Sequence, residues 1–99
     1  VRRNQVSLEN RKKVRVGDVE NVLGSLQQKL RYRIKQYGDH GYASVHEILG
    51  QVTEEYLELA EAIRTDKHDL RYEIYGELMD LMVACLWGCL SIGQDTIDW

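Results

Sequence analysis

At 99 residues, 43% hydrophobic and 29% charged, the chain has the size and composition of one small globular domain and excludes a disordered or fibrous protein. It contains no proline, which disfavours a loop-rich β-sandwich and lets long helices run unbroken. The net charge of −3 hides a division: residues 1–17 hold six basic side chains against Glu9, a net +5, and residues 18–99 carry −8.

Residues 1–17 read as a basic arm ahead of a single helical domain at 18–99. Such an arm suits nucleic-acid contact. However, it has no aromatic side chain to stack on bases, and no DNA-binding motif follows it. Pairing with the acidic body or a neighbouring subunit is the favoured role, and nucleic acid is not an expected partner. No apolar signal segment is seen at the start of the chain, and the expected location is the cytoplasm.

Asp18 is positioned to cap a first helix reaching about Tyr37, with Val19, Val22, Leu23, Leu26, Leu30, Ile34 and Tyr37 at three- and four-residue spacings. Gly38 stops it, and Gly38-Asp39-His40-Gly41 reads as a loop. Ser44 with Glu47 forms a capping box that opens a second helix to about Arg64. Its apolar stripe is Ile48, Leu49, Val52, Tyr56, Leu59, Ala60 and Ile63. Thr65-Asp66 breaks the pattern, and Asp66 can cap a third helix to about Ile92, closed by Gly93. A connection this short makes the second and third helices an antiparallel hairpin.

Beyond Leu78 the third helix is apolar almost all round, which assigns its second half to an interior or an interface. Cys85 and Cys89 there read as small core residues. The run from Leu78 to Leu90 contains Asp80 and is too short to span a bilayer. Gly76 and Gly88 each cost about 1 kcal/mol relative to alanine inside a helix, which points to close helix approach at both. The expected fold class is all-α: a helical hairpin plus a preceding helix. Three helices bury so apolar a face poorly, so two copies are expected to assemble into a dimeric four-helix-type bundle.

The candidate chemistry lies in carboxylates. Glu55 and Glu58 on the second helix, and Glu77 and Asp80 on the third, are pairs three residues apart, each sharing a helix face. With the turn centred between Asp66 and Lys67, Glu55 and Glu77 fall at nearly the same height at a rise of about 1.5 Å per residue. Glu58 and Asp80 flank that level. Four acids gathered in this way raise their pKa values or bind hard cations, and an all-oxygen ligand set favours Mg²⁺ or Mn²⁺. Solvated acidic helix faces are the plainer alternative, and they suffice for Glu54 or Glu61 alone. They suit Asp80 less, because an ionised side chain among Leu78, Met79, Leu81 and Met82 needs a partner. A di-iron bundle is disfavoured, because neither His46 nor His68 follows a glutamate by three residues. His40 offers at most a weak phosphate or base contact. No glycine-rich phosphate loop and no Ser-His-Asp arrangement can be assembled.

The pair Glu55-Tyr56-Leu57-Glu58 and Glu77-Leu78-Met79-Asp80, with the stretch EEYLELAEAI, resembles the MazG-like all-α nucleoside triphosphate pyrophosphatase superfamily, whose signature is Glu-x-x-Glu followed by Glu-x-x-Asp. YASVHEILGQVTEEYLEL and Gln36-Tyr37-Gly38 are similar to short phage and bacterial members, and the resemblance covers about Leu26 to Asp98. It implies Mg²⁺-dependent cleavage of a nucleoside triphosphate to the monophosphate and pyrophosphate, by a homodimer or dimer of dimers. Glu55, Glu58, Glu77 and Asp80 would hold the metal, and Glu54 or Glu55 would orient or deprotonate the attacking water. Fuller members grip the nucleotide from a further helix; here Lys29, Arg33 and Lys35 are the expected phosphate contacts, with Lys67, the arm or a partner subunit as other sources. Tyr37, Tyr42 and Trp87 are candidates to stack on the base, with a core role favoured for each. Two alternatives stand beside this reading. One is a phosphoribosyl-ATP pyrophosphohydrolase, disfavoured by Gln51-Val52-Thr53 where those enzymes carry Lys-x-Gly; the other is a non-catalytic helical interaction module.

Overall fold

The structure, a computed structural model, describes residues 11–65 and 71–93. Their regular structure is entirely helical: α1 (Val16–Tyr37), α2 (Val45–Arg64) and α3 (Arg71–Ile92), with no strand among the described residues. Residues 11–39, with α1, belong to one compact unit, and residues 40–65 and 71–93, with α2 and α3, to another.

In the first unit α1 opens at Val16, ahead of the expected cap at Asp18. The Arg15 carbonyl accepts the Asp18 and Val19 N–H groups at 3.0 and 3.2 Å, while Asp18 Oδ2 accepts the Arg15 N–H at 3.0 Å. Asp18 therefore caps from inside the first turn, where its charge also favours the helix N-terminus. The helix takes in the last two residues assigned to the basic arm. At the other end Gly38, at φ 89°, donates its N–H to the Ile34 carbonyl at 2.8 Å, a left-handed stop that glycine accepts without strain. No residue of α1 is buried: Val22, Leu26 and Leu30 are half-buried, and Val19, Leu23, Ile34 and Tyr37 are exposed.

In the second unit α2 starts as expected. Ser44 Oγ accepts the Glu47 N–H at 3.1 Å, and the Glu47 carboxylate reaches back past the usual position to the Ala43 N–H at 2.6 Å. Thr65 ends the helix by donating both its N–H and its hydroxyl to the Glu61 carbonyl, and Arg64 pairs with Glu61 on the surface. The expected cap Asp66, Lys67 and the α2–α3 connection lie outside the described residues, as do residues 1–10 of the arm and 94–99. Gly93, at φ 86°, closes α3 by donating to the Cys89 carbonyl at 3.0 Å.

α2 and α3 form an antiparallel pair. Ile48, in the first turn of α2, packs at Gly88 near the end of α3, whereas Glu55 in mid-α2 meets Glu77 and Asp80 further back. The pair is also tied at its open end. Trp87 Nε1 donates to the His40 carbonyl at 3.2 Å, and Ser91 Oγ accepts the Tyr42 N–H at 2.8 Å while donating to the Trp87 carbonyl at 2.6 Å. Ala62, Met79, Val83, Ala84 and Trp87 form the core, with Gly88 buried beside them.

Several expectations change here. Four of the seven residues of the anticipated α2 stripe turn inward: Ile48, Val52, Leu59 and Ala60 are half-buried, whereas Leu49, Tyr56 and Ile63 are exposed. Their axis lies to one side of the line along which α3 packs. The second half of α3 is buried on one side alone, and Cys85 and Cys89 are exposed on the other, not core residues. Gly88 does permit close approach, since a Cβ there would lie 3.0 Å from Ile48 Cγ2; Gly76 does not, because no described atom would come within 4 Å. At 22 residues α3 is long and apolar enough, by length and composition alone, to cross a membrane. Its inner face is nonetheless packed on α2 and carries Glu77 and Asp80.

Candidate metal centre

One carboxylate oxygen from each of Glu55, Glu77 and Asp80 lies within 4.8 Å of the others. Two features of the chain bring them together. The 3.6-residue period turns Glu77 and Asp80 to the side of α3 that packs on α2, and the antiparallel register sets Glu55 opposite them. All three are half-buried, whereas Glu54 and Glu58 are exposed.

The electrostatic consequence falls on Glu55. Burial pushes its carboxyl above the usual carboxylate range, and the charges of Glu58, Asp80, Glu77 and Glu54 push it further in the same direction, in that order. Its Oε2 is buried and accepts no hydrogen bond among the described residues. A buried carboxylate oxygen with four acidic neighbours and no donor among the described residues is costly when ionised, and a divalent cation relieves that cost directly.

The donor set fits a hard ion. In an octahedral Mg²⁺ shell with bonds of about 2.1 Å, adjacent oxygens stand about 3.0 Å apart and opposite ones about 4.2 Å, so three oxygens within 4.8 Å of one another would draw together to share one ion. Mn²⁺ accepts the same ligands. Glu58 stands outside the triad, one turn from Glu55, and acts on it through charge.

The expected phosphate contacts all lie on α1, in the other unit. Lys29 and Arg33 are half-buried and, four residues apart, share a face; Lys35 is exposed and points elsewhere. The Arg33 guanidinium lies 5.9 Å from the centroid of the Tyr37 ring, an arrangement that cation–π attraction favours. Tyr37 is exposed and no core residue, Tyr42 is half-buried, and Trp87 is core as favoured. His40 contributes its backbone carbonyl to Trp87. That tie, and the one from Tyr42 to Ser91, had no signal in the sequence, because both join residues more than 45 positions apart.

The chain matches no family model, no curated protein and no solved structure.

Proposed function

We propose that this chain is a Mg²⁺-dependent nucleotide pyrophosphohydrolase that converts a nucleoside triphosphate to its monophosphate and pyrophosphate. The observation that carries the reading is the meeting of Glu55, Glu77 and Asp80 across the α2–α3 hairpin, at positions matching the Glu-x-x-Glu and Glu-x-x-Asp pattern of the MazG-like enzymes that the sequence resembles. Glu55, Glu77 and Asp80 would hold Mg²⁺ or Mn²⁺, with Glu58 joining from the next turn. A cation held there would supply the positive charge that offsets the negative charge developing as the phosphoanhydride breaks.

The protein's own part is positioning and proton transfer. Glu55 or its neighbour Glu54 would orient or deprotonate the attacking water. Lys29, Arg33 and Lys35 are the side chains proposed to supply positive charge for the phosphates.

A homodimer or dimer of dimers completes the proposal. Val45, Leu49, Tyr56 and Ile63 are exposed apolar side chains on one side of α2, surface that a second copy would cover in a four-helix-type bundle. The same surface would serve a non-catalytic interaction module, and equilibrium dialysis separates the two, since a module need not bind Mg²⁺ and triphosphate together.

The decisive experiment measures pyrophosphate release from ordinary and modified nucleoside triphosphates, with and without Mg²⁺. Metal-dependent release that is lost in Glu58→Gln and Asp80→Asn is expected. No release from any substrate, or turnover unchanged in either Glu58→Gln or Asp80→Asn, overturns the reading.

A further inference from the structure

Free cysteine is among the most buried of residue types, yet both cysteines of this chain are exposed on α3. They are one turn apart on a common face, with Cβ atoms about 5–6 Å from each other. A disulfide requires Cβ atoms about 3.5–4.5 Å apart, and a helix held against α2 does not bring them closer. The pair therefore cannot close on itself by oxidation. A single ion can join it, because two metal–thiolate bonds of about 2.3 Å span up to about 4.6 Å between sulfur atoms, and each sulfur stands clear of its Cβ.

The distribution of sulfur points the same way. The chain has two cysteines and two methionines. Met79 is core, 2% exposed, whereas Met82, three residues before Cys85, is exposed on the cysteine face. Three of the four sulfur atoms thus lie within about two turns of one open helix face. Glu77 and Asp80, the hard ligands of this helix, belong to the opposite side, where they meet Glu55.

We infer that Cys85 and Cys89 form a two-thiolate site for one soft cation, Cu(I), separate from the carboxylate centre. Thiolate and thioether ligands select Cu(I) among biological metals, and Cu(I) is satisfied by two thiolates in a nearly linear arrangement, which suits a pair that offers only two. Zn²⁺ needs four ligands. Binding releases the two thiol protons, so affinity rises with pH, and the Met82 thioether lies alongside as a further soft donor.

The test is an anaerobic titration of the full, reduced chain with Cu(I) against the chromophoric chelator bicinchoninate. One Cu(I) per chain is expected, with a new thiolate-to-copper absorption in the ultraviolet. Even outer partners of a metal site are worth about 10–100-fold in affinity, so Cys85→Ser and Cys89→Ser should each weaken binding by at least about a hundredfold. Both positions are exposed, and circular dichroism should show the helices intact. Asp80→Asn should bind Cu(I) as the parent does, which keeps this site distinguishable from the carboxylate centre. Absence of binding, equal binding by either serine variant, or one ion per two chains overturns the proposal; the last would indicate four thiolates shared between copies.

Discussion

Two glycines inside α3 should respond to the same substitution with opposite sign. Replacing glycine by alanine in a helix interior lowers the entropy lost on folding and is worth about 1 kcal/mol where the new methyl meets nothing. Gly76 is such a place, since an added Cβ would have no described atom within 4 Å. At Gly88 the added Cβ would sit 3.0 Å from Ile48 Cγ2. That methyl is the short branch of a β-branched side chain on a helix, held close to one rotamer and unable to swing aside freely. Forcing a methyl into such a contact costs about 1–3 kcal/mol, which cancels or exceeds the gain. Gly76→Ala should therefore raise stability by about 1 kcal/mol, or about 4–8 °C in Tm for a domain of this size. Gly88→Ala should leave it unchanged or lower it by up to about 2 kcal/mol. Thermal melts followed by circular dichroism, with urea titrations to check that the slope is constant, measure both. An equal rise in Tm for the two variants would refute the close α2–α3 approach at Gly88.

Other perturbations test the hairpin and the carboxylate centre. Ser91→Ala removes the acceptor of the half-buried Tyr42 N–H and should cost about 1–3 kcal/mol, read from the same melts; a loss below a few tenths would show that the tie is dispensable. Glu55 is raised above its unfolded value, so the metal-free protein holds that stability contribution fully below the unfolded pKa and loses it as pH rises through the folded one. Stability measured against pH in chelator should fall over that window, and Glu55→Gln should flatten the fall; an identical profile in the variant rejects the electrostatic account. Mg²⁺ at about a hundred times its Kd should stabilise the parent by about 2.7 kcal/mol. In Asp80→Asn that gain should be mostly lost, and a full gain there would remove Asp80 from the ligand set.

How much of this could be read in advance depended on whether the cause was local. The start of α2 was legible because Ser44 and Glu47 build their cap from four consecutive residues. The start of α1 was misplaced because Asp18 can cap from the N-cap position or from inside the first turn, and the hydrogen bond from Arg15 decides for the latter. The meeting of Glu55 with Glu77 and Asp80 followed from hairpin register, a counting argument that survives small errors in helix bounds. Glu58 was harder to place. Residues three apart differ by about 60° around a helix, and with Glu55 on the line of contact its companion falls to the open side. The cysteines and Gly76 were misread for a single reason. A helix apolar all round gives no sign of which side meets its neighbour, and that choice is made by α2.

The ties from Tyr42 to Ser91 and from Trp87 to His40 give the hairpin a built-in gauge. The Tyr42 amide lies outside any helix, between α1 and α2, and in a plain connecting loop it would exchange its hydrogen with solvent rapidly. Here it can exchange only when the last turn of α3 releases it, so its exchange rate reports the opening of two helices at once. Fraying at the beginning of α2 and at the end of α3 thereby becomes one event, and ligands that steady either end should slow the same proton.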